Sequence, residues 1–417
     1  MDTTSEELYR ERERRILDAV ALRKPDRVPI LVHFSFFPAK YSGFTLEEVM
    51  YDPEKLWKAQ WKTMTEFEPD MDNNPFGLRF LGPLLEVLDF KQLKWPGHGV
   101  GPDFSYQFVE GEYMKADEYD AFLEDPTDFM MRVFWPRIFG ALKGFEKLPP
   151  LRDIITYAMG APFGFGIFNS PEVSGALDML KKAGEKSLQV AYYSRLFTEK
   201  AREAGFPVQY GGFTQAPFDT LSDYFRGMKG SMLDMYRRPG KVINMCEKLL
   251  PIMLELAVDA SKVSGNPRIF MPIHKGIDGF MSEEQFKKFF WPTLRDLIAA
   301  LVSRGLTPCI LWEGNCTSRL EIIKDIPPGK VMYGFEATDI FKAKQVIGGI
   351  ACIRGNVPMS LLATGTPDDV KTYCKKLIDI VGSNGGYIMD SGAGFDDAKP
   401  ENVRAMFEFT KEYGVYR

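Results

Sequence analysis

The chain reads as an α/β protein, a (β/α)8 TIM-type barrel with an N-terminal helical extension and an irregular insertion. Three observations predict it. Between residues 268 and 413, short apolar runs alternate five times with amphipathic segments, the pattern of parallel strands covered by helices. Further apolar runs at 28–37, near 70–80, 160–168 and 208–213 bring the total to a number compatible with a closed eight-stranded barrel. The late runs also end at polar residues, and the carboxyl ends of barrel strands are where chemistry is placed. A doubly wound open sheet is the runner-up.

The bulk numbers agree with a globular enzyme. The 417 residues suffice for one elaborated barrel or two ordinary domains. No Gly/Ser linker sets off a part of the chain, which is read as a single domain over 1–417. Hydrophobic content of 45% and charged content of 26% fit a sizeable core. The net charge of −5 offers no basic field for nucleic acid or an anionic membrane. The opening M-D-T-T-S-E-E-L-Y-R-E-R-E-R-R is too charged for a secretory signal, and no apolar run reaches the ~18 residues that span a bilayer. Five cysteines, an odd number without a C-x-x-C pair, point to a reducing compartment and a cytoplasmic location. The aromatic fraction of 13%, with 33 Phe, and the 20 Met fit a large aromatic core; they also fit an apolar pocket for a flat ligand.

In chain order, Glu6 to Leu22 is an amphipathic helix with apolar marks at Leu8, Ile16, Leu17, Val20 and Ala21. Val28 to Phe37 is the first strand, with Pro29 at its start and His33 on its alternate positions. Leu46 to Phe67 is helical with a break near Pro53. Glu68 to Gly77 has the composition of a solvated turn, or of a polar rim loop. Residues 78–150 are least regular and are read as an insertion or lid; Ser105 to Met114 alternates like a strand pair. The glycines of Gly160 to Phe168 do not make a phosphate cradle. Ser170 as N-cap and Pro171 at N1 open a long helix to about Ala204. Val208 to Asp219 is a strand with a polar loop, followed by two helices broken at R-R-P-G.

The regular half follows. Arg268 to His274 is a strand, and Ser282 with Gln285 makes a capping box for the next helix. Thr307 to Glu313 is a buried run that stops at Glu313, Gly314 and Asn315. Lys330 to Glu336 and Ala351 to Pro358 repeat the pattern, Thr366 caps a helix with Pro367 at N1, and Gly385 to Gly394 is the last strand with its loop. A final helix runs from about Glu401 to Tyr413.

Five consecutive strand exits therefore carry His274; Glu313 with Asn315 and Cys316; Glu336; Asn356; and Asp390. Neighbouring strands lie roughly 4.7–4.9 Å apart, so these groups can meet one ligand. Three roles are open. His274, Glu313 and Cys316 are acceptable zinc ligands with a fourth position free. Without metal, His274 is a general acid, and Glu313 and Glu336 are carboxylates that orient it or raise one another's pKa. His33, Asp219, Asn315, Asn356 and Asp390 are candidates for substrate hydrogen bonds.

These residues also resemble a known family. E-R-R-I-L-D-A-V-A-L-R-K-P-D-R-V-P-I near the start, G-A-P-F near 160, Y-G-F-E-A-T-D-I-F-K-A-K, I-R-G-N-V-P-M-S-L-L and Y-I-M-D-S-G-A-G-F-D-D-A-K-P-E-N-V are similar to the uroporphyrinogen decarboxylase superfamily. The resemblance covers most of the chain and implies one (β/α)8 barrel with its site at the carboxyl rim. The superfamily holds both the haem-pathway decarboxylase and cobamide-dependent methyltransferases. After its first strand the decarboxylase carries R-Q-A-G-R-Y, whose arginines hold an octacarboxylate; here the segment is H-F-S-F-F-P-A-K-Y, without arginine. The decarboxylase's late G-H-G-I is here Gly392, Ala393, Gly394 and Phe395. Thiol-activating methyltransferases carry H-x-C-G-N and a later cysteine as zinc ligands, where this chain has Leu311, Glu313 and a position near Ala393. H-x-G-x-D-G-F-M-S from His274 to Ser282 and E-G-N from Glu313 to Asn315 are similar to the branch associated with corrinoid methyl transfer.

The resemblance thus implies a methyltransferase that moves a methyl group from a small methoxylated or methylated donor to the cobalt of a corrinoid protein. Its cofactors are the corrinoid on that partner and, by the ligand set above, zinc; barrels of this kind commonly pair into homodimers. The alternatives are decarboxylation of a carboxylated substrate and a non-catalytic barrel that binds a ligand or a corrinoid protein.

Overall fold

In the computed structural model, which describes residues 4–155 and 161–417, six strands form one parallel sheet in chain order. They are Gly212–Phe213, Arg268–Ile273, Thr307–Trp312, Met332–Phe335, Cys352–Arg354 and Tyr387–Ile388. The five repeats expected from 268 onward are all present. Residues such as Ile269, Met271, Ile310 and Phe335 are almost fully buried, as strands covered by helices require. The strand order never reverses, whereas a doubly wound sheet needs a reversal at its switch point. That counts against the runner-up.

The edges of the sheet continue in a thinner form. Ile30 bridges Met389 and Asp72 bridges Val208, both in parallel. Leu31 N donates to Met389 O at 3.1 Å, Asp70 N to Ile30 O at 3.0 Å and Asp72 N to Pro207 O at 2.8 Å. The strands predicted at 28–37 and near 70–80 are thus reduced to single bridged residues. Side chains stand in for part of the ladder: Asp70 Oδ2 accepts from Ile30 N at 2.7 Å, and Gln209 Nε2 donates to Val32 O at 2.6 Å. Beyond Phe36 the chain turns into the helix Phe37–Tyr41, where alternation predicts more strand.

Other expectations are corrected. Glu68 to Gly77 is not a solvated turn, because Asp70 and Asp72 are fully buried. Asp70 is an ion-pair partner of both Arg15 and Arg27, and the side chain of Asp72 accepts from Gln60 Nε2 at 2.6 Å. The strand expected at 160–168 is helical over Ala161–Gly164 and Phe165–Asn169, while Gly160 lies outside the described residues. Pro162 suits a first helical turn, and Phe163 and Phe165 are exposed instead of facing a sheet. Ser170 stands at the N-cap of Pro171–Glu203, yet its hydroxyl donates backwards to Ile167 O at 2.8 Å. Of Ser105 to Met114, Gln107–Phe108 pairs, antiparallel to Leu93–Pro96. The capping box at Ser282 and the cap at Thr366 form as expected, and Asp369 completes a second box at Thr366.

Residues 78–150 make short helices and a small three-stranded sheet. The segment is tied to the sheet side by Met114 N, which donates to Phe225 O at 2.7 Å, and by the Arg226 guanidinium, bonded to Glu112 and Met114 O. All five cysteines are free and buried. Among the described residues no helix is long and apolar enough to cross a membrane.

Candidate active site

Register places the strand exits. Ile273 pairs with Trp312 and Trp312 with Phe335, so the next residues, His274, Glu313 and Glu336, emerge side by side. Glu313 N donates to Ile273 O at 3.1 Å, and Glu336 N to Trp312 O at 3.3 Å. Gly314 then turns the chain at φ +113°, a conformation that side chains rarely adopt. His274 Nε2 lies 3.4 Å from Glu313 Oε2.

The other ring nitrogen meets a residue that sequence reasoning missed. Asp223 sits in the wide helical turn Leu221–Arg226, and its Oδ2 is 2.5 Å from His274 Nδ1. Its Oδ1 pairs with Lys275 Nζ at 3.0 Å. Asp219, one turn earlier, accepts from the backbone N–H groups of His274 at 2.9 Å and Lys275 at 2.8 Å. The signal was present in D-T-L-S-D: two carboxylates four apart share a helix face. Imidazole thus stands between two carboxylates, one 14% exposed and ion-paired, the other 43% exposed.

Charge follows from this arrangement. Burial opposes a charged His274, but the Asp223 hydrogen bond and the charges of Asp219, Asp223 and Glu313 raise its pKa to about 9. The imidazolium form dominates at neutral pH. Burial also works against ionised Asp223, and the bond and charge of His274 outweigh it, so that carboxyl lies below its usual value. Burial, then the Asp223 charge, push Asp219 up to about 7. Glu313 is raised by burial, with Glu336 and Asp223 adding to the effect against His274.

Three cavities meet at these groups. The inner one, about 180 Å³, is lined by His33, Tyr210, Glu313, Glu336, Arg354 and Asp390 among others. An outer one of about 440 Å³ has Asp223, His274 and Glu313 on one wall and Phe90, Gln92, Phe108 and Glu110 of the insertion on the other. A third, about 510 Å³, adjoins Glu336, Asn315 and Asn356.

The remaining candidates divide. His33 faces the inner cavity, its Nε2 3.0 Å from Arg79. Asp390 is there too, paired with Arg354 at 2.7 Å and accepting from Ser391 N. Asn315 lines the third cavity but spends its carbonyl oxygen on Thr317. Asn356 is buried and holds the chain itself, donating to Thr338 O at 3.0 Å. Asp219 is fully buried with both oxygens taken by backbone; it corrects the substrate expectation, since it positions His274. Arg354 and Arg79 were missed as well, although a charge inside the apolar strand Cys352–Arg354 was a readable signal.

The zinc set does not assemble. Cys316 is fully buried with its Sγ 3.2 Å from Thr338 Oγ1, and burial pushes its thiol up to about 12. A ligand must be the thiolate. Among the described residues no group of three or more His, Cys, Asp or Glu is placed to hold a metal ion. His274, Glu313 and Cys316 therefore do not fit zinc.

Comparison with known proteins completes the picture. A uroporphyrinogen decarboxylase from Chlorobium phaeovibrioides is 29% identical over 137 residues, 32% of this chain and 38% of that protein. Another from Chlorobium luteolum is 27% identical over 183 residues, 43% of this chain and 51% of that protein. The aligned part thus spans between about a third and a half of those relatives' own length. A methyltransferase from Methanosarcina mazei has a similar structure, with a TM-score of 0.61 at 16% identity over 99% of both chains. At that identity the likeness is one of fold. The family model described as "Uroporphyrinogen decarboxylase (URO-D)" matches residues 154–413, more than half of the sequence, and the chain belongs to that family.

Proposed function

We propose that the protein is a methyltransferase that moves a methyl group from a small methoxylated or methylated donor to the cobalt of a corrinoid carried by a separate protein. The observation that carries this reading is the Asp223–His274–Glu313 array, a protonated imidazole on the outer cavity beside Glu313, which lines both the outer and the inner one. For an ether donor, the Co(I) corrinoid is a substrate whose electron pair forms the cobalt–carbon bond. The carbon–oxygen bond breaks with its pair on oxygen, and that oxygen takes the Nε2 proton of His274. Asp223 keeps the Nδ1 proton and stabilises the charged ring, and Glu313 orients it. A proton supplied as the bond breaks makes a poor leaving group a better one.

Decarboxylation of an octacarboxylate fits less well. The three cavities are lined by Glu110, Asp223, Glu313, Glu336, Asp339 and Asp390, whereas Lys275 and Arg354 are already in ion pairs. Such walls repel a polyanion. In this reading the sheet closes as an eight-stranded barrel through the bridges at Ile30 and Asp72, and residues 78–150 are the lid under which the corrinoid partner docks. Cytoplasmic residence agrees with the free cysteines.

The test is to mix the protein, a reduced Co(I) corrinoid and a panel of methoxylated and methylated donors. Methyl-Co(III) absorbance is expected from the wild type and not from His274→Gln or Glu313→Gln. No methylation across the panel refutes the reading and leaves the binding barrel, and rates equal to the wild type in both variants refute the roles given to His274 and Glu313.

A further inference from the structure

We infer that the inner cavity holds an anion subsite built by His33 and Arg79, and that the methyl donor it accepts carries a carboxylate. This deepens the proposed function and rests on it for the word donor. Arg79 ends the short helix Phe76–Arg79 and is 4% exposed. Arg15, Arg226, Arg268 and Arg354, equally buried, each meet a carboxylate. Arg12 donates to Gly205 O and lies over the Phe206 ring. Arg79, by contrast, has no ion pair within 4 Å among the described residues; Asp72 and Asp396 act on it from farther away. Among the described residues its hydrogen-bond partner is His33 Nε2, at 3.0 Å. A buried cation without a counter-charge is costly, and such charges are normally paired.

Donor logic then sets the tautomer of His33. A guanidinium can only donate, so Nε2 must accept and the ring proton sits on Nδ1. Burial and the charges of Arg79 and Arg354 hold this imidazole neutral, well below its ordinary pKa. The ring lines the cavity, and no protein acceptor meets its Nδ1–H among the described residues. The cavity therefore offers a neutral N–H donor with a positive charge directly behind it. Asp390 in the same cavity cannot serve as the missing anion, because Arg354 and the backbone of Ser391 hold it. Tyr210 and Phe270, stacked with centroids 4.9 Å apart, add a flat apolar wall. A planar acid with a methoxy group meets all of these: its carboxylate at His33, its ring along the aromatic wall, its ether towards Glu313 and His274.

Binding without corrinoid tests this apart from methyl transfer. Titration calorimetry of the full chain compares para-methoxybenzoate with para-methoxybenzamide, which has the same shape and no charge. The carboxylate is expected to bind about tenfold tighter or more, the scale of a charge-assisted hydrogen bond, and Arg79→Met is expected to abolish that preference. Equal affinity, no binding of either compound, or a preference that survives in folded Arg79→Met overturns the subsite. Should Arg79→Met not fold, the wild-type comparison decides alone. A clear preference for the acid without methylation of any donor would leave the subsite standing and refute only the transferase reading.

Discussion

Thr307–Trp312 makes backbone hydrogen bonds to strands on both sides, register after register, while residues 28–32 meet their neighbours at single bridges. The first segment is apolar from Pro308 onward and needs nothing but its ladder. Around the second, the carboxylate of Asp70 and the amide of Gln209 hold backbone groups that a strand would otherwise hold. The difference separates two ways of building one wall. In the half from 268 onward, geometry comes from the backbone, and the residue after each strand is delivered to the rim by register. In the half before it, geometry comes from buried polar side chains. Regularity supplied His274, Glu313 and Glu336; the irregular half supplied Asp223, His33 and Arg79, which set charge and tautomer.

The contrast can be broken most sharply on the rim. His274→Gln is expected to lower methyl transfer about a hundred- to ten-thousand-fold, the usual weight of a general acid, in a chain that still folds cooperatively. Activity lost together with the fold would mean that the rim histidine is structural. On the other side, Asp70→Asn is expected to destabilise by about 3–5 kcal/mol, as removal of one partner leaves Arg15 and Arg27 short of a buried counter-charge. Urea unfolding measures this. A loss below about 1 kcal/mol, the level of an exposed pair, would show that the side-chain construction is not essential.

Asp223 links the two halves, and pH reads the link. His274 has its pKa raised from 6.5 to about 9. The stabilisation it shares with Asp223 is therefore complete below about 6.5 and is lost as pH rises through about 9. Transfer that uses the imidazolium should decline over the same upper range. In Asp223→Asn both limbs should move toward neutral pH; an unmoved limb in rate–pH profiles would detach Asp223 from the acid.

Smaller effects sharpen the picture further. At Gly392 (φ +80°) an added Cβ would lie 2.3 Å from Phe335 O, so Gly392→Ala is expected to cost about 1–3 kcal/mol in thermal unfolding. Phe108, 75% exposed on the insertion, should tolerate alanine within about 0.5 kcal/mol. Its removal should nevertheless slow transfer several-fold if the insertion covers the outer cavity.

The sequence by itself determined the βα rhythm after 268, the caps at Ser282 and Thr366 and the polar strand exits, since all of these rest on local periodicity and local hydrogen bonding. Even Asp219 and Asp223 could be seen as a helical pair. What they face could not. Tertiary structure alone decided that Asp219 clamps backbone while Asp223 charges His274, that Cys316 turns inward to Thr338, and that Asp70 replaces a solvated turn with a buried ion-pair network. Those outcomes depend on partners 22 to 56 residues away in the chain, and a carboxylate's role is set by which donors reach it. Sequence spacing carries no record of that.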